Sequence, residues 1–418
     1  MIGTFVYWSL MKAYNLLIFA ASLFNPKAKQ WIKGRKQIFR TIQESLANDD
    51  TRRVWFHCAS LGEFEQARPV IELFRQEFPQ YKVILTFFSP SGYENKKDCK
   101  LVDWTFYLPL DTPKNARQLV GLFKPSAVFF SKYDFWYFIL KELDRRQIPV
   151  ILFSAIFREN QLFFKKIGRW YKNLLTLFTH IFVQDDISYN LLKKHGIENV
   201  TIAGDTRFDR VVKIARTPSQ LPCIEKFVQG ADKVIVAGST YIEDAKILAD
   251  YILSHKDTKL IIAPHEITGA SISETMNLFY SGYALYSMVK QSKHDIDKQV
   301  LIIDAIGLLS KIYRYATVTY VGGGFNGGIH NILEAVVYGK PVVFGPKYGK
   351  FKEALDLLDL GVAFTIRDNQ EFFTVMEDLL GSPRKLEEIR KISLDYINRH
   401  VGSSQKIIGW FKREKILD

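Results

Sequence analysis

A chain of 418 residues is long enough for two domains of ordinary size, each with its own core. Its formal charge of +13 attracts anionic partners, and charge alone does not choose among nucleic acid, membrane surface and acidic small molecules. The three cysteines, Cys58, Cys99 and Cys223, lie far apart with no CxxC pair, which argues against a zinc site or a disulfide framework and for a reducing compartment.

The first predicted element is an apolar run from Ile2 to Phe24, interrupted by Lys12 and Asn15, with Lys27, Lys29, Lys33, Arg35 and Lys36 close behind. A signal peptide fits poorly, because the basic cluster follows the run and no clear small-residue cleavage site is present. About 20 apolar residues are enough to cross a bilayer. Lys12 near the middle, and the Tyr and Trp content, also suit a helix lying in the interface. In either case the basic residues belong on the cytoplasmic side. A buried first helix of a soluble domain is the alternative; the expectation is membrane association.

From Arg53 onward apolar runs alternate with amphipathic ones. VWFHCAS, KVILTFF, AVFFSKY, PVILFSA, HIFVQ and NVTIAG read as strands, with helical patterns such as FEQARPVIELFRQEF and FWYFILKELDRRQ between them. Around RFDRVVKIARTPSQLPC the alternation breaks into a basic, Pro-containing stretch, a candidate hinge. A second alternation follows with KVIVAGS, KLIIAP, VLIID, TVTYVGGG and PVVFG, and GSSQKIIGWFKREKI reads as an amphipathic terminal helix. Two successive βαβα blocks predict an α/β chain of two doubly wound parallel sheets facing a cleft. The expected divisions are a membrane-associated segment at 1–36, a first domain at 37–215, a second at 216–400, and a terminal helix at 401–418 returning to the first.

In such sheets ligands sit at the C-terminal ends of the strands. The polar clusters HCASLGEFEQ, FFSPSGYE, SKYDFW, AGSTYIED, APHEIT, DAIG and VGGGFNGGIHN all fall there. The last is a glycine-rich strand-to-helix turn of the kind that holds phosphates. It lacks the Lys-Ser/Thr of a P-loop and the spacing of a dinucleotide fingerprint. Its glycines are equally compatible with a tight turn and nothing more. His330-Asn331-Ile332-Leu333-Glu334 follows. Asn with Glu three later forms a capping box, or else the helix start takes a nucleotide phosphate while Glu334 accepts from ribose hydroxyls. Ser239, Thr240, Gly307, Gly323 and Gly324 offer backbone donors from neighbouring loops, and His265 a donor or charge beside a phosphate. In the first block Glu63 follows a strand directly, placed to take a proton from an acceptor hydroxyl or to cap its helix. Asp134 and Arg207 stand at other strand or loop ends, where ordinary ion pairing is the plainer account.

HCASLGEFEQARPVIE, FSPSGYE, YLPLDTP, AGDTRFD, VAGSTYIED and GGGFNGGIHNILEAVVYGKPVVFGP, in this order, resemble the Kdo transferases of Gram-negative bacteria. These attach 3-deoxy-D-manno-octulosonic acid (Kdo) from CMP-Kdo to a lipid A precursor, lipid IVA, in lipopolysaccharide core biosynthesis. The resemblance covers nearly the whole chain. It implies a GT-B architecture, an inverting glycosyl transfer with no cofactor and no catalytic metal, and a place at the cytoplasmic face of the inner membrane.

By position, Glu63 in SLGEFE matches the family's catalytic base. Asp134 in YDFW stands where the family usually has glutamate, and Arg207 in DTRFD where it usually has lysine, at positions assigned transition-state support. Pro264 and His265, Ile306 to Leu308 (with Gly307 between), and Asn331 to Glu334 match the three segments that bind CMP. The family commonly has Arg at the His265 position and Glu at the Leu308 position. Donor, lipid A phosphates and inner leaflet are all anionic, which suits the basic charge. Nucleic acid is not expected as a partner, since the basic residues are scattered and no recognition motif appears. The nearest alternative is another GT-B enzyme acting on a UDP-sugar, a transferase or an epimerase.

Overall fold

The computed structural model describes residues 2–165, 168–217, 219–291 and 295–417. It divides into two compact units: Met1–Arg210 together with Val401–Asp418, and Val211–His400. Among the described residues each unit is built on one seven-stranded sheet, and every strand pairing in both is parallel.

The first sheet comprises β1 (Arg53–Cys58), β2 (Lys82–Phe87), β3 (Trp104–Tyr107), β4 (Pro125–Ser131), β5 (Val150–Ala155), β6 (His180–Val183) and β7 (Val200–Ile202). Its order is β3-β2-β1-β4-β5-β6-β7. The second comprises β8 (Lys233–Thr240), β9 (Thr258–Pro264), β10 (Tyr283–Leu285), β11 (Val300–Ile302), β12 (Val318–Val321), β13 (Val342–Phe344) and β14 (Ala363–Thr365), ordered β10-β11-β9-β8-β12-β13-β14. In each sheet the first strand lies between two others, β1 between β2 and β4 and β8 between β9 and β12. The order reverses there, and a crevice at the carboxyl ends of such a strand pair is where doubly wound sheets bind ligands.

Central strands of a parallel sheet are covered on both faces, so they read as unbroken apolar runs. β1 is buried at all six positions, and the Phe56 ring stacks on Phe129 of β4 at 4.6 Å. The C-terminal helix Ser403–Arg413 packs on the helix Leu61–Glu77 of the same unit, where Phe411 meets Phe74, Phe78 and Phe129. Its start is held by Asp209, whose carboxylate accepts the N–H groups of Gly402 and Ser404 at 2.6 and 2.7 Å.

The stretch read as a hinge, Arg207 to Cys223, contains the boundary between the two units, which falls after Arg210; its first part lies in the helix Thr206–Arg216, where Phe208 and Val211 are buried. One expectation needs correction. Arg35, read with the membrane-facing cluster, points inward. Its guanidinium sits 3.8 Å from the Trp31 ring and 4.9 Å from those of Phe88 and Tyr107, and it donates to the carbonyls of Leu108, Phe88 and Trp31. Three carbonyls and three ring faces replace its hydration, although burial still pushes it down to about 9.

The apolar N-terminal run is a helix, Ile2–Ala21. One stripe faces the first unit: Thr4 Oγ1 bonds the Tyr137 hydroxyl at 2.8 Å, and the buried Tyr7 donates to Asp111 at 2.8 Å. The rest stays uncovered, with Phe5, Leu10, Leu16, Leu17 and Phe19 all more than half exposed. No helix among the described residues is long and apolar enough to cross a membrane.

Candidate active site

At the reversal point of the first sheet, β1 ends in Cys58 and the chain turns through Ala59 and Ser60 into the helix Leu61–Glu77. Ser60 is the N-cap; its hydroxyl accepts the Glu63 N–H. The Glu63 carboxylate turns back and accepts the N–H of Ala59, so this residue does cap its helix. It does more than cap. Burial pushes its carboxyl up, the neighbouring Asp134 carboxylate adds to the rise, and the Ala59 N–H and Lys132 offset only part, leaving it at about 7. A carboxyl held there can take a proton at neutral pH and release it again.

Asp134 comes from the loop after β4, on the other side of the reversal point. It is buried, with Oδ2 3.2 Å from His57 Nε2. Lys132, in the same loop, has a left-handed backbone, φ 61°, an uncommon conformation for a side-chain-bearing residue. Arg207 pairs with Asp205 at 2.7 Å. Burial pushes the Tyr133 hydroxyl up; Arg158 and Arg207 pull it down, and Asp185 and Glu63 add to the rise. Glu63 and Asp134 feel each other's charge within the first unit.

The second sheet has the same layout. Ser239, at the end of β8, adopts φ 54°. Across from it, after β12, lies the glycine-rich turn. A side chain on Gly322 would strike the Ser239 carbonyl oxygen and Thr240 Cα, so only glycine lets the two loops approach this closely. Gly323 has φ 93°. The buried Asp244 ties these loops together. Its carboxylate accepts the Tyr241 N–H at 2.9 Å, the Gly323 N–H at 3.1 Å and the Tyr320 hydroxyl at 2.7 Å, and burial pushes its titration upward. Nothing in the sequence singled Asp244 out. Its place at the third position of a helix after a strand is the sole signal, and one shared with many helix-start carboxylates.

Beside these loops is a cavity of about 350 Å³ lined by Thr240, Tyr241, Glu243, His265, Glu266 and Asn326, among others. Tyr241, His265 and His330 form a cluster of near-parallel rings, with centroids 4.9 Å (Tyr241–His265) and 4.3 Å (His265–His330) apart. Burial and the adjacent His265 push His330 down to about 4, so it is neutral at physiological pH. Asn331 Nδ2 donates to Glu334 Oε1 at 3.1 Å. Among the described residues no group of three His, Cys, Asp or Glu comes together to hold a metal ion.

The structure changes several expectations here. The helix after the glycines is a single turn, Leu333–Val336, with Ile332 at its N-cap and no side-chain cap, so the capping box does not form. A single turn also carries little of the dipole that would hold a phosphate. Ile332 and Leu333 are fully buried core residues, leaving Asn331 and Glu334 as the polar side chains of that segment. The Gly323 N–H, expected to face an anion, is spent on Asp244. Pro264 is buried at the end of β9, whereas Ile306 is 83 % exposed beside Gly307 (φ 84°) and Leu308. Of the residues expected at CMP, Thr240 and His265 line the cavity, and Pro264, Ile306, Gly307, Leu308, Asn331 and Glu334 do not.

Comparison with known proteins accounts for both halves. Residues 33–210 match the family described as 3-deoxy-D-manno-octulosonic-acid transferase (kdotransferase). A 3-deoxy-D-manno-octulosonic acid transferase of Aquifex aeolicus is 26% identical over 85% of this chain and 95% of its own length. One from Chlamydia trachomatis is 25% identical over 87% of this chain and 86% of its own. In fold the chain resembles UDP-GlcNAc 2-epimerase from Neisseria meningitidis bound to UDP-GlcNAc, at a TM-score of 0.62 and 17% identity, over 87% of this chain and 100% of that one. That is the GT-B type of paired parallel-sheet units, and sequence likeness to 3-deoxy-D-manno-octulosonic acid transferases runs along most of the chain.

Proposed function

We propose that this protein transfers Kdo from CMP-Kdo to a lipid A precursor, lipid IVA, in lipopolysaccharide core biosynthesis, with inversion at the anomeric carbon. The observation that carries the reading is Glu63, a carboxyl raised to about 7 at the reversal point of the first sheet and set beside Asp134. It takes the proton of the acceptor hydroxyl as that oxygen attacks the anomeric carbon and CMP leaves. Asp134 and Arg207 support the charge that develops. His265, Asn331 and Glu334 are the side chains proposed to meet CMP, with Ser239 and Thr240 beside them.

The same reading places the protein at the cytoplasmic face of the inner membrane. Support comes from the uncovered apolar side chains of the helix Ile2–Ala21 and from the exposed Lys27, Lys29, Lys33 and Lys36 that follow. An anionic leaflet attracts such lysines by about 1 kcal/mol each.

Mass spectrometry of the products from a tetra-acylated lipid A precursor tests the reaction, with CMP-Kdo and UDP-GlcNAc offered in parallel. Addition of Kdo from CMP-Kdo is the expected result. Turnover of UDP-GlcNAc with CMP-Kdo untouched would overturn the reading in favour of a UDP-sugar enzyme.

A further inference from the structure

We infer that His57 is a positioning residue of the transfer, acting through Asp134; the inference rests on the reading of Glu63 and Asp134 given above. His57 sits near the end of β1 and is fully buried. An imidazole so placed needs partners for both nitrogens, and it has more than it needs. Nδ1 lies 2.7 Å from Thr86 Oγ1 of β2, which also accepts the Trp55 indole N–H at 2.8 Å. Nε2 accepts the Trp136 indole N–H at 3.0 Å and lies 3.2 Å from Asp134 Oδ2, a buried oxygen that has no hydrogen-bond partner among the described residues in this arrangement.

An indole N–H only donates, and an ionised carboxylate only accepts. Nε2 can therefore serve Asp134 only while it carries a hydrogen. In that arrangement the Thr86 hydroxyl, with one lone pair taken by Trp55, turns its own hydrogen to Nδ1. With Nε2 bare, its one lone pair accepts from Trp136 and the ring offers Asp134 nothing. Either way the orientation of the Asp134 carboxylate is tied to the ring behind it. A histidine that served packing alone would be satisfied by Thr86 and Trp136. The third contact, to a buried carboxylate facing Glu63, lies outside that account.

The connection also crosses the reversal point. His57 stands on the strand that leads into Glu63, Thr86 on the strand to one side, and Asp134 with Trp136 on the segment that leaves the strand to the other. His57 thereby fixes the Asp134 carboxylate relative to Glu63, and a displacement of about 1 Å at such a pair costs on the order of a hundredfold in rate.

A double-mutant cycle on the full chain tests this, with transfer from CMP-Kdo, CMP binding and melting temperature measured for each variant. His57→Asn keeps a group for Thr86 and loses the one that faces Asp134. It should lower kcat by about tenfold or more while the KM for CMP-Kdo and the CMP affinity stay within about twofold. His57→Gln, whose longer amide reaches the Nε2 position, should recover part of the loss. In an Asp134→Asn background the same His57 change should cost less than about threefold, because its route to the chemistry is already cut. If His57→Asn does not fold, Thr86→Val reads the same coupling from the other side of the ring. A wild-type kcat in the His57 variants, or an equal loss in both backgrounds, overturns the inference. An unaltered chain that transfers nothing from CMP-Kdo would instead sink the underlying reading of the reaction.

Discussion

Asp244 accepts the N–H of Gly323 at 3.1 Å while the same oxygen takes the N–H of Tyr241 at 2.9 Å. One buried carboxylate thus closes the glycine-rich turn onto the loop leaving β8, at the reversal point of the second sheet. Asp244→Ala leaves two amides and the Tyr320 hydroxyl without an acceptor, and each buried orphan costs about 1–3 kcal/mol. Urea denaturation should show a loss of at least about 2 kcal/mol. Tyr320→Phe removes only one of the three bonds and should cost about 1 kcal/mol. Equal stability of Asp244→Ala and the unaltered chain would show that the turn holds itself.

Glu63→Gln should fold and lose at least about 10²-fold of transfer, the usual contribution of a positioned base. Full activity in this variant would leave Glu63 as a helix cap only. In the unaltered chain kcat/KM should rise with pH on the acid side with a midpoint near 7, where the carboxyl of the free enzyme ionises.

Stability runs the other way. The folded carboxyl binds its proton up to about 7, whereas an unfolded glutamate releases it near 4.3. Between those values the folded state holds more protons, so the favourable contribution present at low pH is lost as pH rises through the folded value. The melting temperature of Glu63→Gln relative to the unaltered chain should therefore climb between about pH 4.5 and 7.5. A difference that stays flat over that window would mean that Glu63 titrates normally.

Glu334→Gln separates a ligand role from a structural one. Glu334 accepts from Asn331 at 3.1 Å, a bond that an amide oxygen also accepts, so the melting temperature should hardly move. A carboxylate accepting ribose hydroxyls makes charge-assisted bonds of about 1.5–3 kcal/mol, so CMP affinity by calorimetry should fall about tenfold. Unchanged affinity would remove Glu334 from the nucleotide site.

Replacing Phe5, Leu16, Leu17 and Phe19 by serine tests the outer face of the first helix. All four are more than half exposed, so folding should be preserved. Each buried apolar side chain contributes about 1.5–3 kcal/mol, so sedimentation with anionic vesicles should show binding weakened by about a hundredfold or more. Retained binding would put the membrane contact elsewhere on the chain.

The strands at the middle of both sheets were legible in the sequence, because a strand buried on two faces is an unbroken apolar run whatever it packs against. VWFHCAS and KVIVAGS became β1 and β8, and the polar clusters that end them lie at the two reversal points. The strands missed were β3, β10 and β14, all at sheet edges and only three or four residues long. An edge strand has one hydrogen-bonding neighbour and a weaker apolar pattern, so a single chain segment does not announce it. Glu63 was legible for the same reason as its strand, since its position follows from where β1 stops. What tertiary structure alone decided is which polar groups meet. Trp136 reaches His57 across 79 residues of sequence, and Gly323 reaches Asp244 across another 79. A buried carboxylate or imidazole takes its partners from whatever the sheet order brings beside it. That order comes from the packing of whole strands, and no local pattern around His57 or Asp244 records it.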